Sequence, residues 1–507
     1  VAGDIRDKYI LLYKYLEDKG VIESNIESFN YFVDHEMTKV GRAMGFFSPR
    51  VLPQGLHDLK FKIERLWLSK ADFMEKEGII RIIYPNEARI RNITYSGTVF
   101  MEFSVYENES FKNKYQISIG KLPIMVRSKY CNTYGLSPEE LIKIGEDPYD
   151  FGGYFIINGS EKVLVLSEEL STDKFFVQEE SGGVVKYKGF LLSESLVVQY
   201  PHNIEMTKDS LLYVSFEKYK RIPLIPLLKV LGMDRDDEIY SFINEDDNFE
   251  ETYINLLEYQ DLQTQDDVIK YLADKLRLTG SFEVKREKLY GIIDTKLLPH
   301  VGTSPNDRMF KAYILTKYAR KILLLAHGII GEDVKDHLKN KVVRTPGDLI
   351  RDLFRVVLKT FVQDAMSQYD RLARRGKIPS YTSIFRAKVF TDRFQSAFAT
   401  GKWTRNRVGV SQQLDRTNRL SVLSHLTRVW SSIEGEAELY EARMVHGTHW
   451  GRLDMIETPE GKETGLRKNL TLFAKISFEE IDINNFISQL EKLGLKSVKN
   501  KNFSRNN

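Results

Sequence analysis

Hydrophobic and polar positions change rhythm several times along the chain. Over residues 1–33 apolar side chains recur at helical spacing (Ile10, Leu11, Tyr13, Leu16), which predicts surface helices. From Leu59 the period falls to two: "LKFKIERLWL" alternates as a half-buried strand does. "GTVFMEFSVYE" and "NKYQISIGKLPIMV" predict further strands, and in "GYFIINGSEKVLVLSEEL" the pair Asn158-Gly159 between two apolar runs predicts a tight hairpin. "DRMFKAYILTKYARKILLLAHG" returns to helical spacing, with Gly328 as its C-terminal stop. In "TPGDLIRDLFRVVLKTFVQDAMSQYDRLARR", Thr345 is an N-cap, Pro346 suits the first helical position and Asp348 the first turn. Leu349, Leu353, Val357, Phe361 and Met366 form its buried stripe. Strands first, then a mixed middle, then helices, then a glycine-punctuated segment predict an α+β, multidomain fold.

Charge is segregated along this pattern. Residues 234–267 hold thirteen Asp and Glu against one Arg, which reads as a solvated acidic face turned away from any nucleic acid. Residues 335–388 reverse the sign, with thirteen Lys and Arg against five Asp. Arg351, Arg355 and Lys359 lie four apart on one helix face, either a solvated face or a stripe turned to phosphate.

Composition narrows the class. The 507 residues, 42% hydrophobic and 29% charged, suit several globular domains. Net charge is only +3, so any nucleic-acid surface must come from local clustering. The single cysteine, Cys131, excludes an intramolecular disulfide framework and a multi-cysteine zinc site, and fits a reducing compartment. No apolar run is long enough to span a membrane, and the first residues lack a signal-peptide layout, so the expected location is the cytoplasm.

Most enzyme motifs fail on inspection. "HEMTK" (His35–Lys39) has Lys39 where a helical zinc motif needs its second histidine, "NGSEK" lacks P-loop spacing, and no nucleophile elbow occurs. His446 and His449, followed by Glu457 and Glu460, supply ligand-type residues, but on a segment broken by Gly447, Gly451, Pro459 and Gly461. Both histidines bonding loop backbone is the plainer reading. Just upstream, "TRNRVGVSQQLDRTNRLSVLSHLTRVW" carries Arg405, Arg407, Arg416, Arg419 and Arg428 against one acid, Asp415, with Ser411, Gln412, Gln413, Asn418 and Ser424 interleaved. Arginines hold phosphates, and short amides and hydroxyls reach sugars or base edges. This stretch reads as a loop entering a short helix that contacts nucleic acid.

These residues carry a resemblance. "GVSQQLDRTNRLSVLSHLTRV" followed by "HGTHWGRLDMIETPEGKETGLRKNL" resembles the fork region of the second-largest subunit of multisubunit DNA-directed RNA polymerase. "YPNEARIRNITYSGTVFMEF", "LPIMVRSKYCNTY", "DPYDFGGYFIINGSEKVLVLSEEL" and "GEDVKDHLKNKVVRTPGDLIRDLF" resemble the same family, in the family's order. The family's subunit is about twice as long; a stop soon after the fork resembles the N-terminal piece (B″) of a split archaeal B subunit, and a truncated intact subunit would read the same way.

The resemblance implies a protrusion at 1–170, a lobe at 171–335, the protrusion resumed at 336–400, a fork at 401–470, and a C-terminal helix and tail at 471–507. It implies a cleft-wall subunit without catalytic residues, metal or bound cofactor of its own, the Mg2+ sitting on the largest subunit. Implied partners are the other polymerase subunits, including the largest and the C-terminal piece of B, together with DNA template and RNA–DNA hybrid. Arg407, Arg416, Arg419 and Arg428 are expected at phosphates or stacked bases, and Gln412, Asn418 and His425 are expected to shape template and hybrid. His449, Glu457, Thr458, Pro459, Glu460 and Gly461 are expected to form a rigid scaffold near the active centre. The rival is a free-standing nucleic-acid-binding protein or metal-dependent nuclease using His446, His449 and Glu457. Finally, "EEIDINNFISQLEKLGLKS" reads as a helix, with Ile483, Phe486, Ile487, Leu490 and Leu493 on one face. Glu479, Glu480, Lys492 and Lys496 suit its dipole, and docking on the companion B piece is favoured over packing on its own body.

Overall fold

The computed structural model describes residues 5–495, apart from 19, 53–56, 76–77, 181–182, 197, 246, 263, 377–379, 405–406, 432–439 and 479–481. Arg405, Glu479, Glu480 and Lys496 lie outside the described residues. The N-terminal spacing forms helices α1 (Ile5–Asp18) and α2 (Glu23–Tyr31). Ile10, Leu11 and Tyr13 stay exposed, as surface helices allow. The period-two stretch is strand β1 (Leu59–Met74), with Leu59, Phe61 and Ile63 buried on one face. β2 (Ser96–Glu107) and β3 (Ser110–Pro123) extend it as an antiparallel meander.

Asn158-Gly159 joins β4 (Phe155–Ile157) to β5 (Ser160–Leu164), with Ile157 opposite Ser160. Asn158 has φ 48° and Gly159 φ 78°, the two left-handed positions a tight hairpin turn demands. A Cβ on Gly159 would also stand 2.5 Å from Asn92 Oδ1. β6 (Leu166–Leu170) follows and enters a different sheet.

A second core starts there. β7 (Phe176–Glu179), β8 (Val185–Glu194), β9 (Gln199–Thr207), β10 (Leu212–Phe216) and β11 (Tyr219–Pro223) pair in sequence order as an antiparallel sheet. Helices α3 (Asp236–Asn244), α4 (Glu250–Glu258), α5 (Gln265–Lys275), α6 (Phe282–Lys296) and α7 (Arg308–Ala326) share its core, which runs from Phe175 to Leu325. The acidic stretch becomes α3, α4 and the start of α5. Ile239, Ile243 and Val268 turn inward while Asp236, Asp237, Glu250, Glu258, Asp266 and Asp267 face solvent. Gly328 ends α7 with φ 67°.

The chain then returns to the first core through β12 (Lys341–Arg344), α8 (Pro346–Ala373) and α9 (Ala387–Thr400). Thr345 caps α8 in a box with Asp348, and all five stripe residues are buried. The charged face differs from both readings of it. Arg351 bonds Glu36 at 2.9 Å, Arg355 lies 3.4 Å from Glu194 and 3.5 Å from Asp352, and only Lys359 is exposed. Carboxylates from α8 itself and from distant segments, invisible to helical periodicity, draw the two arginines inward.

The remaining elements are β13 (Ser411–Gln413), α10 (Arg419–Thr427), β14 (Arg428–Ser431), β15 (Arg467–Asn469) and α11 (Ile483–Lys492). β13 joins the hairpin in the order β13-β5-β4, and a four-stranded sheet runs β12-β6-β14-β15, with β14 parallel to β6. Four segments far apart in sequence thus meet on one small sheet. α11 does not bury its apolar face on the described body: Ile483, Phe486, Ile487 and Leu493 are exposed. Among the described residues no helix is long and apolar enough to cross a membrane.

α8 abuts α2 so closely that only glycine fits at Gly347. Its N–H donates to Ser28 Oγ at 3.1 Å, and a Cβ would lie 2.1 Å from Ser28 O. Gly347→Ala should destabilise the chain by about 1–3 kcal/mol, read as a lowered urea midpoint; an unchanged midpoint would contradict this packing.

Candidate nucleic-acid interface

The arginine-rich stretch is pinned at both ends. β13 pairs antiparallel with β5, Gln412 opposite Val163, and β14 is clamped between β6 and β15. Between them the polar side chains shape the loop. Asp415 Oδ1 accepts from Thr417 N at 2.9 Å, and Asn418 caps α10 by accepting from Ser421 N at 2.8 Å. His425 is buried: its Nδ1 accepts from Asp415 N at 3.2 Å and its Nε2 lies 3.2 Å from Gln412 Oε1. Burial, helped by Arg428, pushes its pKa down to about 4, so it is a neutral strut between strand and helix. Gln412, Asn418 and His425 therefore hold the loop's shape through bonds within the chain.

The arginines divide into inner and outer sets. Arg407 is turned inward, paired with Glu169 and 3.7 Å from Asp352, its side chain only 10% exposed. A phosphate contact from Arg407 does not fit this placement, because two carboxylates already neutralise the buried guanidinium. Arg416 and Arg419 lie outside, each over an aromatic ring of the segment 150–154. Arg416 stands 5.1 Å from the Tyr154 ring centre and Arg419 4.5 Å from that of Phe151. Arg416 also meets Glu161 with two bonds, 2.6 and 2.8 Å. Arg419 and Arg428 have no carboxylate within ion-pair distance among the described residues. Nearby Leu420, Trp450 and Ile456 are exposed.

The histidine-glutamate segment is a bonded turn. His446 Nδ1 accepts from Thr448 N at 3.2 Å, His449 Nδ1 from His446 N at 3.4 Å, and His337 Nδ1 from Lys339 N at 3.0 Å. His337 was missed in the sequence; its ring lies 5.3 Å from that of His446. With Nδ1 accepting, each ring has its N–H at Nε2, the nitrogen a metal would need bare. Metal binding there would require giving up these backbone bonds. Glu457 turns elsewhere, its Oε1 accepting from Ser424 Oγ at 2.5 Å and Asn469 Nδ2 at 2.8 Å. Among the described residues no group of three or more His, Cys, Asp or Glu is placed to hold a metal ion. Thr458 Oγ1 donates to Arg467 O at 3.0 Å and accepts from Gly465 N at 2.8 Å, and Pro459 O accepts from Thr464 Oγ1 at 2.9 Å. Glu460 precedes Gly461, whose φ of 80° turns the chain.

Beneath both loops lies a residue that pattern reading passed over, Glu168 on β6. It accepts from Lys468 Nζ at 2.8 Å and Ser431 Oγ at 2.8 Å, and Lys341 Nζ stands 2.9 Å away. Burial works to raise its pKa, but Lys468 and Lys341 outweigh burial and hold it at about 2. The one available signal was a pair of glutamates, Glu168-Glu169, ending an apolar run.

Comparison with known proteins places these features in a family. The family described as "RNA polymerase beta subunit" matches residues 20–392, and "RNA polymerase Rpb2, domain 3" matches residues 412–476. DNA-directed RNA polymerase subunit Rpo2 of Sulfolobus acidocaldarius is 37% identical over 501 residues, 98% of this chain and 44% of that protein. Subunit Rpo2N of Methanocaldococcus jannaschii is 35% identical over 495 residues, 96% of this chain and 98% of that protein. Rpo2N of Halobacterium salinarum is 34% identical, covering 97% of this chain and 96% of its own. The chain thus spans less than half of the Sulfolobus relative and nearly all of the other two.

Glu168→Gln would leave the buried Lys468 ammonium without its carboxylate and Lys341 with Asp336 alone, at 3.1 Å, and should cost about 3–5 kcal/mol at neutral pH. Because the folded pKa lies below the ordinary 4.5, the carboxylate's contribution is complete above 4.5 and lost as pH falls toward about 2. Urea unfolding at a series of pH values should show a shallower acid limb over that window in the variant; identical limbs would contradict the assignment.

Proposed function

The chain belongs to the RNA polymerase beta-subunit family, and from that premise we propose that it forms one wall of the nucleic-acid cleft in a DNA-dependent RNA polymerase. In this reading the first core, 1–170 with 336–400, is the protrusion, 171–335 the lobe, 401–470 the fork, and 471–507 the terminal helix and tail. The observation that carries it is the set of Arg416 on the loop, Arg419 at the start of α10 and Arg428 at the start of β14, on a segment fixed at both ends and edged by the Thr458–Gly461 turn. Phosphate contacts need cations not yet neutralised, and among the described residues neither Arg419, held over the Phe151 ring, nor Arg428 has a carboxylate partner. His449, Glu457, Thr458, Pro459, Glu460 and Gly461 support the loop from below.

Template-directed RNA synthesis from ribonucleoside triphosphates belongs to the whole complex in the cytoplasm. The Mg2+ that serves nucleotide addition sits on the largest subunit, and this chain contributes position and charge beside template and hybrid. Its partners in this reading are the other polymerase subunits, including the largest subunit and the C-terminal piece of the B subunit. The exposed faces of α11 and α1 are offered to it. The nuclease reading loses ground because Glu457 bonds Ser424 and Asn469 rather than joining the histidines.

Polymerase rebuilt with Arg419→Ala and Arg428→Ala should assemble normally. Its template retention should fall less steeply with salt, the log–log slope shrinking by roughly 1.4–1.8 for two lost phosphate contacts. Arg407→Ala should instead weaken assembly or stability. A double variant with wild-type salt dependence would remove the fork-loop reading.

A further inference from the structure

Among the described arginines of the fork stretch, Arg416 forms with Glu161 the contact whose geometry suits exchange. The guanidinium takes both Glu161 oxygens, at 2.6 and 2.8 Å, in the forked arrangement that two phosphate oxygens also satisfy. Its side chain is 44% exposed, against 7% for Lys468 on Glu168. The arginine half of the pair is thus open to competition from solvent-borne anions, while the Glu161 half, 16% exposed, stays fixed in the protein. Glu161 keeps a second partner without Arg416, because Arg89 Nε holds its Oε1 at 2.8 Å. Arg89 is itself fixed by Tyr154 Oη at 2.5 Å and by Glu146 at 3.4 Å. Asp150 stands 3.9 Å from Arg416, so the guanidinium rests in a carboxylate-lined seat above the Tyr154 ring. When Arg416 swings out, Arg89 stays bonded to Glu161 Oε1 and Tyr154 Oη.

We propose that Glu161 is a stand-in for phosphate: it holds Arg416 in the free chain and yields it to a backbone phosphate of the nucleic acid, so that Glu161 sets how tightly and how salt-sensitively the fork binds. This rests on the fork-loop reading above. Arg419, over Phe151, would make the first contact, and Arg416 would follow by exchange. The competing carboxylate weakens binding to any one phosphate and so favours release as the strand moves on.

The test uses the full chain and a fluorescein-labelled oligo(dT) single strand across a salt series. Glu161→Gln should tighten binding roughly threefold at low salt and steepen the log–log salt slope by about 0.7, one additional phosphate contact on a single strand. Arg416→Ala in the Glu161→Gln background should erase that gain, whereas Arg89→Ala, which leaves Glu161 to Arg416 alone, should weaken binding. Should Glu161→Gln fold poorly by its melting curve, Glu161→Asp, which keeps the charge and draws it back by one methylene, should shift binding in the same direction. No gain from either variant, while Arg419→Ala still weakens binding, would overturn the stand-in role and leave the fork-loop reading in place. No effect of Arg419→Ala, alone or with Arg428→Ala, would overturn both.

Discussion

Everything proposed for the fork depends on the buried carboxylate of Glu168. Three strands converge on it: Lys341 from β12, Ser431 from β14 and Lys468 from β15. With the carboxylate missing, the buried Lys468 ammonium would lose its counter-charge and Lys341 would keep only Asp336, a penalty far larger than the worth of any exposed ion pair. The contact therefore works as a selector of register. β14 can lie parallel to β6 in only one position that brings Ser431 to the same oxygen as Lys468. α10 and the loop before it are carried by that strand.

Beside Glu168 runs a chain of paired charges. Glu169 takes Arg407 and lies 3.5 Å from Arg344; Glu194 takes Arg344 at 2.8 Å and Arg355 at 3.4 Å; Asp352 lies between Arg355 and Arg407. Glu194 comes from the second core, the others from elements around the first. Charge thus fastens one core to the other, while hydrophobic packing builds each separately. The consequence for function is a sorting of arginines: those facing this seam are neutralised inside the protein, while beyond it Arg416 rests on Glu161 and, among the described residues, Arg419 and Arg428 have no carboxylate partner.

Local order was legible in the sequence because it rests on local physics. The Asn158-Gly159 turn, the Thr345 cap and buried stripe of α8, and the stop at Gly328 follow from backbone preference and spacing. The direction of each arginine was not legible. Arg351, Arg355 and Arg407 look like surface cations until Glu36, Glu194 and Glu169, distant in the chain, are brought beside them. His337 joined the two fork histidines for the same reason, and Glu168 looked like the frayed end of a strand. Of the expected interface, the scaffold turn and the outer arginines sit together around α10, while Gln412, Asn418 and His425 are occupied in holding the loop.

The most direct measurement is purification of the tagged full-length chain from its native cells, with its companions identified and the eluate assayed on a DNA template. The account predicts a stoichiometric set of RNA polymerase subunits and template-dependent RNA synthesis by that complex, with none by the chain alone. A monomer that cleaves DNA when given a divalent metal, or that makes RNA unaided, would contradict it.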